Sequence, residues 1–282
     1  MYWKVCMANP NPQLPKFDAP PVVETVFGVH FERLPKFDVA QRALFWSCLR
    51  DNFPRLEEKA PVDEIREEFN DDGLTSGSQI RWEMSAAPPS PRLWAKSEDG
   101  HHTIQIQQDA LLVNWERDQA VPTRYKPFKE RRRDLAEKLA MLDKFLRETE
   151  IGDIQPTSCF ARYINHIEYD RADQFSKLLE SLLTTWRNET SDDWLPPVEQ
   201  GNLLLTFAFP EQHGRLYVNV TPGVRRKDNK RILRMDLTAR GVPREETIEA
   251  ALEWIDYGHE WIVRGFTSLT RPEMHKKWRR TQ

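Results

Sequence analysis

Cysteine is scarce in this sequence. Cys6, Cys48 and Cys159 are odd in number and far apart along 282 residues, which argues against a disulfide framework and fits a reducing compartment. Long apolar runs are missing too. Leu203 to Phe209, the longest, is interrupted by Thr206 and falls far below the roughly 20 residues that span a bilayer. No basic-then-apolar leader opens the chain, so a cytoplasmic protein without a membrane partner is expected. The phosphate-cradling GxxxxGK[ST] loop, GxGxxG, the GxSxG elbow, HExxH and paired CxxC are all absent. Their absence removes the sequence signatures of common nucleotide, hydrolase and zinc chemistries. Charge of one sign is not in excess either. The 41 basic and 44 acidic residues leave a formal net charge of −3, which gives no global attraction to nucleic acid.

What the chain does have is aromatic bulk. Its 10 Trp and 14 Phe, within 39% hydrophobic content, supply the buried area of a folded globular protein. The clearest pattern lies at Asp99 to Glu116. After an Asp99-Gly100 turn, Ile104 and Ile106 alternate with polar residues; the phase then shifts through Gln108-Asp109 to Leu111, Val113 and Trp115. This predicts the middle of an antiparallel sheet, with a bulge or tight turn at the shift.

Around that centre the chain reads strand, helix, strand, strand, strand, helix, twice. In the first unit, residues 22–150, a strand at Val22 to Glu32 carries Val23, Phe27, Val29 and Phe31 on one face. A helix capped by Asp38 follows, with a stripe of Val39, Ala43, Trp46, Leu49 and Phe53; Gln41 completes a capping-box pattern. Residues 55–78 read as a long acidic connection, followed by a strand through Ile80, Trp82 and Met84. Arg92 to Ser97 then pairs with the central stretch, and a helix carries Leu135, Leu139, Leu142 and Leu146. In the second unit, residues 151–270, a strand at Ser158 to Tyr169 precedes a helix capped by Asp173. Strands follow from Leu203, Arg215 and Arg231, then a long helix with the stripe Ile248, Leu252, Ile255, His259, Ile262, Phe266 and Leu269. An extended segment, 1–21, precedes the units, and a basic tail, 271–282, opens at a second capping box formed by Thr270 and Glu273.

At an offset of 136 residues His30-Phe31-Glu32 falls on His166-Ile167-Glu168. The expected fold is therefore α+β with an internal duplication. Each unit would be an antiparallel sheet packed by a long helix, by analogy TATA-binding-protein-like or helix-grip-like, an architecture that carries no function with it.

Pro20-Pro21-Val22-Val23-Glu24, the run from Ile104 to Trp115, Arg162-Tyr163-Ile164-Asn165, and His259 with Phe266 to Thr270 and Trp278 carry a further likeness in their order and spacing. On them the chain resembles a sporadically distributed prokaryotic family with no established activity. The resemblance implies mobile genes, and with them a defence or toxin-neutralising setting.

Cys159 and His166 are a nucleophile-and-base pairing by residue type. They lie seven apart on one strand, so they point to opposite faces, and Cys159 reads as a buried structural thiol. His30 with Glu32, and His166 with Glu168, each share a strand face; two such pairs brought together would hold a divalent metal, whereas apart they are the polar outer face of a sheet. Gln105, Gln107, Asn114, Trp115, Asn165 and His259 are the ligand-binding candidates, either presented to a ligand or tied into a buried network. Two basic clusters, Arg225, Arg226, Lys227 and Lys230, and Lys276, Lys277 and Arg279 with Trp278 interleaved, are the candidates for phosphate contact and base stacking; alternatively they are solvated ends of elements.

Three functions follow. The first is a non-enzymatic binding protein with a protein partner and no cofactor. The second is a nucleic-acid-binding module on a saddle-like sheet, and the third a metal-dependent enzyme using the His-x-Glu pairs.

Overall fold

The computed structural model describes residues 13–69, 90–117, 126–170, 175–187 and 194–282. Residues 1–12, the strand expected through Ile80, Trp82 and Met84, and the cap expected at Asp173 lie outside them.

Among the described residues nine strands form one sheet. At its centre β1 (Val22–Phe31) pairs with β6 (Pro156–Glu168). Outward from β1 lie β5 (Ala110–Glu116), β4 (His102–Ile106), β3 (Arg92–Lys96) and β2 (Arg55–Lys59); outward from β6 lie β9 (Lys230–Gly241), β8 (Arg215–Arg225) and β7 (Leu203–Ala208). Every pairing is antiparallel. The class is α+β, and the strands of residues 22–116 and 156–241 lie in one sheet. Among the described residues five α-helices accompany the sheet: α1 (Val39–Ser47), α2 (Phe128–Glu148), α3 (Phe175–Leu182), α4 (Ile248–Leu269) and α5 (Pro272–Lys277).

Directly paired residues of an antiparallel ladder point to the same side. Thr25, Phe27 and Val29 of β1 therefore share a side with Trp115, Val113 and Leu111 of β5, and with Tyr163, Ala161 and Cys159 of β6. This side takes the core. The leucine stripe of α2 is fully buried, as are Ala251 and Ile255 of α4. Burying each large apolar side chain contributes about 1.5–3 kcal/mol. At the interface the guanidinium of Arg131 on α2 lies 5.5, 5.7 and 5.2 Å from the rings of Phe27, Trp115 and Tyr163, and it donates to the Thr25 hydroxyl. Cation–π contact is stronger when the cation is desolvated.

Several expectations change. The acidic connection after α1 contains β2, whose sequence Arg-Leu-Glu-Glu-Lys gives no apolar run because it is an edge strand protected by charge. Helix α1 ends at Ser47, and its inner face is rotated: Phe45 and Arg42 are buried while Val39 is 40% exposed. An arginine takes the core position because its guanidinium is satisfied by the carbonyls of Asp38 at 3.1 Å and Pro91 at 2.7 Å and by the Ser90 hydroxyl. Asp38 does cap, accepting from the Gln41 amide at 3.0 Å. Thr270 does not cap α5; its hydroxyl donates to the Phe266 carbonyl at 2.6 Å and meets His275 Nε2 at 2.9 Å. The basic tail is packed, with Trp278 buried against Phe266 and Phe17. Phe17 also pairs with Arg280, so this part of the expected loose N-terminal segment is anchored.

Gly28 on β1 makes room for Phe160 of β6, whose ring lies across it; a Cβ there would sit 2.3 Å from a ring carbon. Gly28→Ala is expected to destabilise by about 1–3 kcal/mol in chemical denaturation. Adding Phe160→Ala removes the clash and should make the Gly28→Ala step nearly neutral in that background. A Gly28→Ala variant as stable as wild type would show that the ring is not held there.

Candidate functional site: the helix-free face of the sheet

The other side of the sheet carries the alternate residues of every strand. Among the described residues no helix packs on it. At its middle Val26, Ala110 and Leu112 form a small apolar cluster with Phe160. Around that cluster the surface is polar, and its side chains hydrogen-bond to one another across strands. Arg92 Nη1 donates to Gln105 Oε1, Gln105 Nε2 to Asn114 Oδ1 at 2.7 Å, and Asn114 Nδ2 to Glu24 Oε1 at 3.0 Å. This diagonal crosses β3, β4, β5 and β1. Beyond β1, Asp236 of β9 accepts from Arg162 of β6 at 2.5 Å and from Arg234 at 2.9 Å. Burial raises the pKa of the Glu24 carboxyl, with the Asn114 hydrogen bond opposing it and the neighbouring Glu116 adding to the rise. Near the β2 edge, Lys59, Arg92 and Lys96 surround the Trp94 ring at 5.4, 5.4 and 5.3 Å.

The segment 60–69 crosses this face as a strap. Val62 pairs its amide and carbonyl with the Gln107 side chain, both at 2.9 Å. Glu64 Oε1 accepts from Thr157 at 2.6 Å and Ser158 at 2.8 Å, below His30 at the start of β6. Glu67 then enters a cage on β8 and β9. Arg215 Nη1 donates to it at 2.6 Å, the Tyr217 hydroxyl reaches its two oxygens at 2.9 and 2.8 Å, and Arg240 Nη1 stands 3.5 Å away. The Glu67 side chain is only 2% exposed. Burial, and the hydrogen bond to Glu67, raise the pKa of Tyr217. Arg215 also donates to the Glu68 carbonyl at 2.8 Å and lies 4.0 Å from the Phe69 ring. From β2 to β8 is seven strand spacings, about 34 Å; ten residues reach at most about 33–36 Å. The strap is therefore close to fully extended.

At the opposite end of the face a cleft of about 400 Å³ opens between Glu24, Glu116, His166, Arg225 and Arg234. Burial lowers the pKa of His166, and the cationic Arg234 and Arg225 lower it further.

The sheet divides the candidates that the sequence suggested. Gln105, Gln107 and Asn114 are on the helix-free face. Trp115, Asn165 and His259 are on the other: Trp115 lies over Arg131, and Asn165 donates to the Met235 carbonyl at 3.0 Å. The His-x-Glu pairs do not converge. His30 is opposite Ser158, and His166 lies eight residues further along β6, about 26 Å away. Glu32 pairs with Arg66, and Glu168 with Arg225 and Lys230. Among the described residues no group of three or more His, Cys, Asp or Glu is placed to hold a metal. Cys159 is buried on the helix side, and burial pushes its thiol pKa well up. In the basic turn Arg225 is held by Asp228 and Glu168, and Arg226 and Lys227 follow it. In the tail Lys276, Lys277 and Arg279 are exposed, but Trp278 between them is buried and is not free to stack on a base.

No family model and no curated protein matches the chain.

Sequence reasoning missed the cage. Arg215 and Tyr217 alternate on one strand and Arg240 ends the next, so their common face was readable once β8 and β9 were paired. The strap's contribution was not readable, because Glu64 and Glu67 sit in a stretch that has no periodicity.

His259 on α4 stacks on Phe128 with ring centroids 3.7 Å apart and accepts from or donates to the Tyr163 hydroxyl through Nδ1 at 2.8 Å. Burial, with the cationic Arg131 nearby, lowers its pKa to about 3. The unfolded chain takes up the proton near the ordinary value of 6.5, so this neutral histidine loses the protein stability as pH falls below it. Between pH 7 and pH 5, His259→Gln should lose about 1–2 kcal/mol less stability than wild type. Urea unfolding at the two pH values measures this; parallel losses would place the ring in water.

Proposed function

We propose that this chain is a non-catalytic binding protein and that its partner, another protein, meets the helix-free face of the sheet. One observation carries the reading. The core lies on the helix side, while the other side, among the described residues, carries hydrogen-bonded groups of amides, carboxylates and guanidiniums around a small apolar cluster and is crossed by a single strap. A lattice of this kind suits recognition, since fixed donors and acceptors discriminate between partners.

A protein suits this face better than nucleic acid. Glu24, Glu57, Glu116 and Asp236 are spread among the cations and would repel phosphates. Arg225 and Lys230 are already paired with carboxylates. The edge strand β7 leaves Leu204 68% and Phe207 37% exposed, which is protein-binding chemistry. One feature favours the nucleic-acid reading: Trp94 among Lys59, Arg92 and Lys96 resembles a stacking platform.

The order of elements supports an internal duplication, with β1, α1, β3, β4, β5 and α2 matched by β6, α3, β7, β8, β9 and α4. Among these strands only β2 has no counterpart. On this reading the two units place their first strands side by side, an arrangement like that of TATA-binding-protein-like folds. A cytoplasmic setting belongs to the same proposal and is supported by two free thiols, Cys48 and Cys159; no helix among the described residues is long and apolar enough to cross a membrane.

The test is purification of the untagged protein from cells that carry the gene among its natural neighbours, with mass spectrometry and metal analysis of what accompanies it. The expected result is a stoichiometric protein that is lost with Trp94→Ala/Lys96→Glu and retained with Glu137→Lys on the outer surface of α2. Nucleic acid that survives moderate salt, or stoichiometric metal, would displace this reading.

A further inference from the structure

The end of the strap that lies over β8 and β9 is an extended acidic segment held through one carboxylate, one backbone carbonyl and one aromatic ring. Glu67 fills the cage of Arg215, Arg240 and Tyr217; Arg215 reaches the Glu68 carbonyl and lies against the Phe69 ring. Two guanidiniums serve one carboxylate here, so the cage keeps an excess of positive charge when occupied. Arginine's planar fork suits a carboxylate and an aromatic face at the same time.

We propose that this cage is the binding site for an extended acidic segment of the partner protein, of the Glu-Glu-aromatic type, and that residues 60–69 occupy it in the partner's absence. The proposal rests on the binding-protein reading above and adds the chemistry of the ligand. Charge complementarity argues for the occupant, and the strap's own contacts show how it would be held. The strap is tethered, so it competes for the cage as an intramolecular occupant. A segment arriving from outside must compete with that, which lowers its apparent affinity by the fraction of time the cage is free. Weakening the strap should therefore reveal the site.

The probe is a fluorescein-labelled peptide with the sequence of residues 60–69, titrated against the full-length protein and read by anisotropy. Glu67→Ala should bind it at least tenfold more tightly than wild type does. Adding Arg215→Ala to that variant should cost at least tenfold, and so should replacing the peptide's own Glu67 by Gln. Thermal melts confirm that each variant is folded; if Glu67→Ala melts without cooperativity, Glu67→Gln takes its place, with the same ordering expected. Equal binding to wild type and the opened variant, or indifference to Arg215→Ala, overturns the proposal and makes the strap a structural tie. Oligo-dT or inorganic phosphate that displaces the peptide with equal potency also overturns it, because the cage then reads phosphate. A failure of the peptide to bind overturns the cage proposal and leaves a co-purified partner standing; absence of a partner leaves the peptide result standing, so the two readings fail separately.

Discussion

Everything in this molecule depends on the antiparallel pairing of β1 with β6. The ladder from Glu24–Ile164 to His30–Ser158 fixes which residues of the two halves share a side. Once Phe27 is set beside Ala161, and Val29 beside Cys159, the apolar residues at alternate positions in β5 and β9 are directed to one face. A slip of one residue would send all of them to the other. The helices follow the strands: α2 and α4 have a single apolar surface to cover, and they meet on it, with Arg132 of α2 paired to Asp256 of α4 at 3.0 Å. The free face is thus a consequence of register. Among the described residues, a sheet continuous through β1 and β6 and covered by helices on one side leaves its other side as one surface.

That surface is polar, and many of its amides and carboxylates satisfy one another. A neutral amide taken out of water without a partner costs about 1–3 kcal/mol, and a carboxylate more. Gln105 and Gln107 are buried, yet their amides are engaged, Gln105 with Arg92 and Asn114, Gln107 with Val62 and Asp109. The apolar cluster in the middle contributes little area, but it explains Gly28: Phe160 can lie flat over the central ladder only where the neighbouring strand has no side chain. The strap contributes in another way. Being nearly fully extended, it ties together the β4–β5 turn, β6, β8 and β9 and has little slack to hold Glu67 anywhere but in the cage.

How much of this was legible follows from where periodicity exists. The hairpin of β4 and β5 could be read because Ile104, Ile106, Leu111, Val113 and Trp115 keep a two-residue period on each side of Gln108-Asp109. The leucines of α2 could be read because four residues at helical spacing leave no alternative. Arg42 and Arg131 defeated the same reasoning: a sequence pattern assigns arginine to water, whereas here carbonyls and aromatic rings hold the two guanidiniums in the interior. Trp278 misled in the opposite way. Basic neighbours made it look like a stacking residue, yet Phe17 and Phe266, one of them remote in sequence, bury it. The candidate amides were identified by type, but only the pairing of strands separates Gln105 and Asn114, which face outward, from Asn165, which faces the helices.

Among the described strands the two edges of the sheet are unlike, and the difference bears on how such a face is kept available. At β2 the edge is Arg-Leu-Glu-Glu-Lys, a charged strand that discourages pairing with another chain. At β7 it is Leu-Leu-Leu-Thr-Phe-Ala, with Leu204 and Phe207 exposed, and nothing in its composition discourages pairing. The strap begins at the charged edge and ends over β8, one strand short of the apolar edge. On the proposed reading, a partner arriving along β7 would meet edge backbone groups and apolar side chains first, and the arginine cage immediately beside them. Contact at the edge would bring an acidic segment within reach of Arg215 before the strap has to yield. The cage sits where such a competition can begin at one end of the strap and proceed along it.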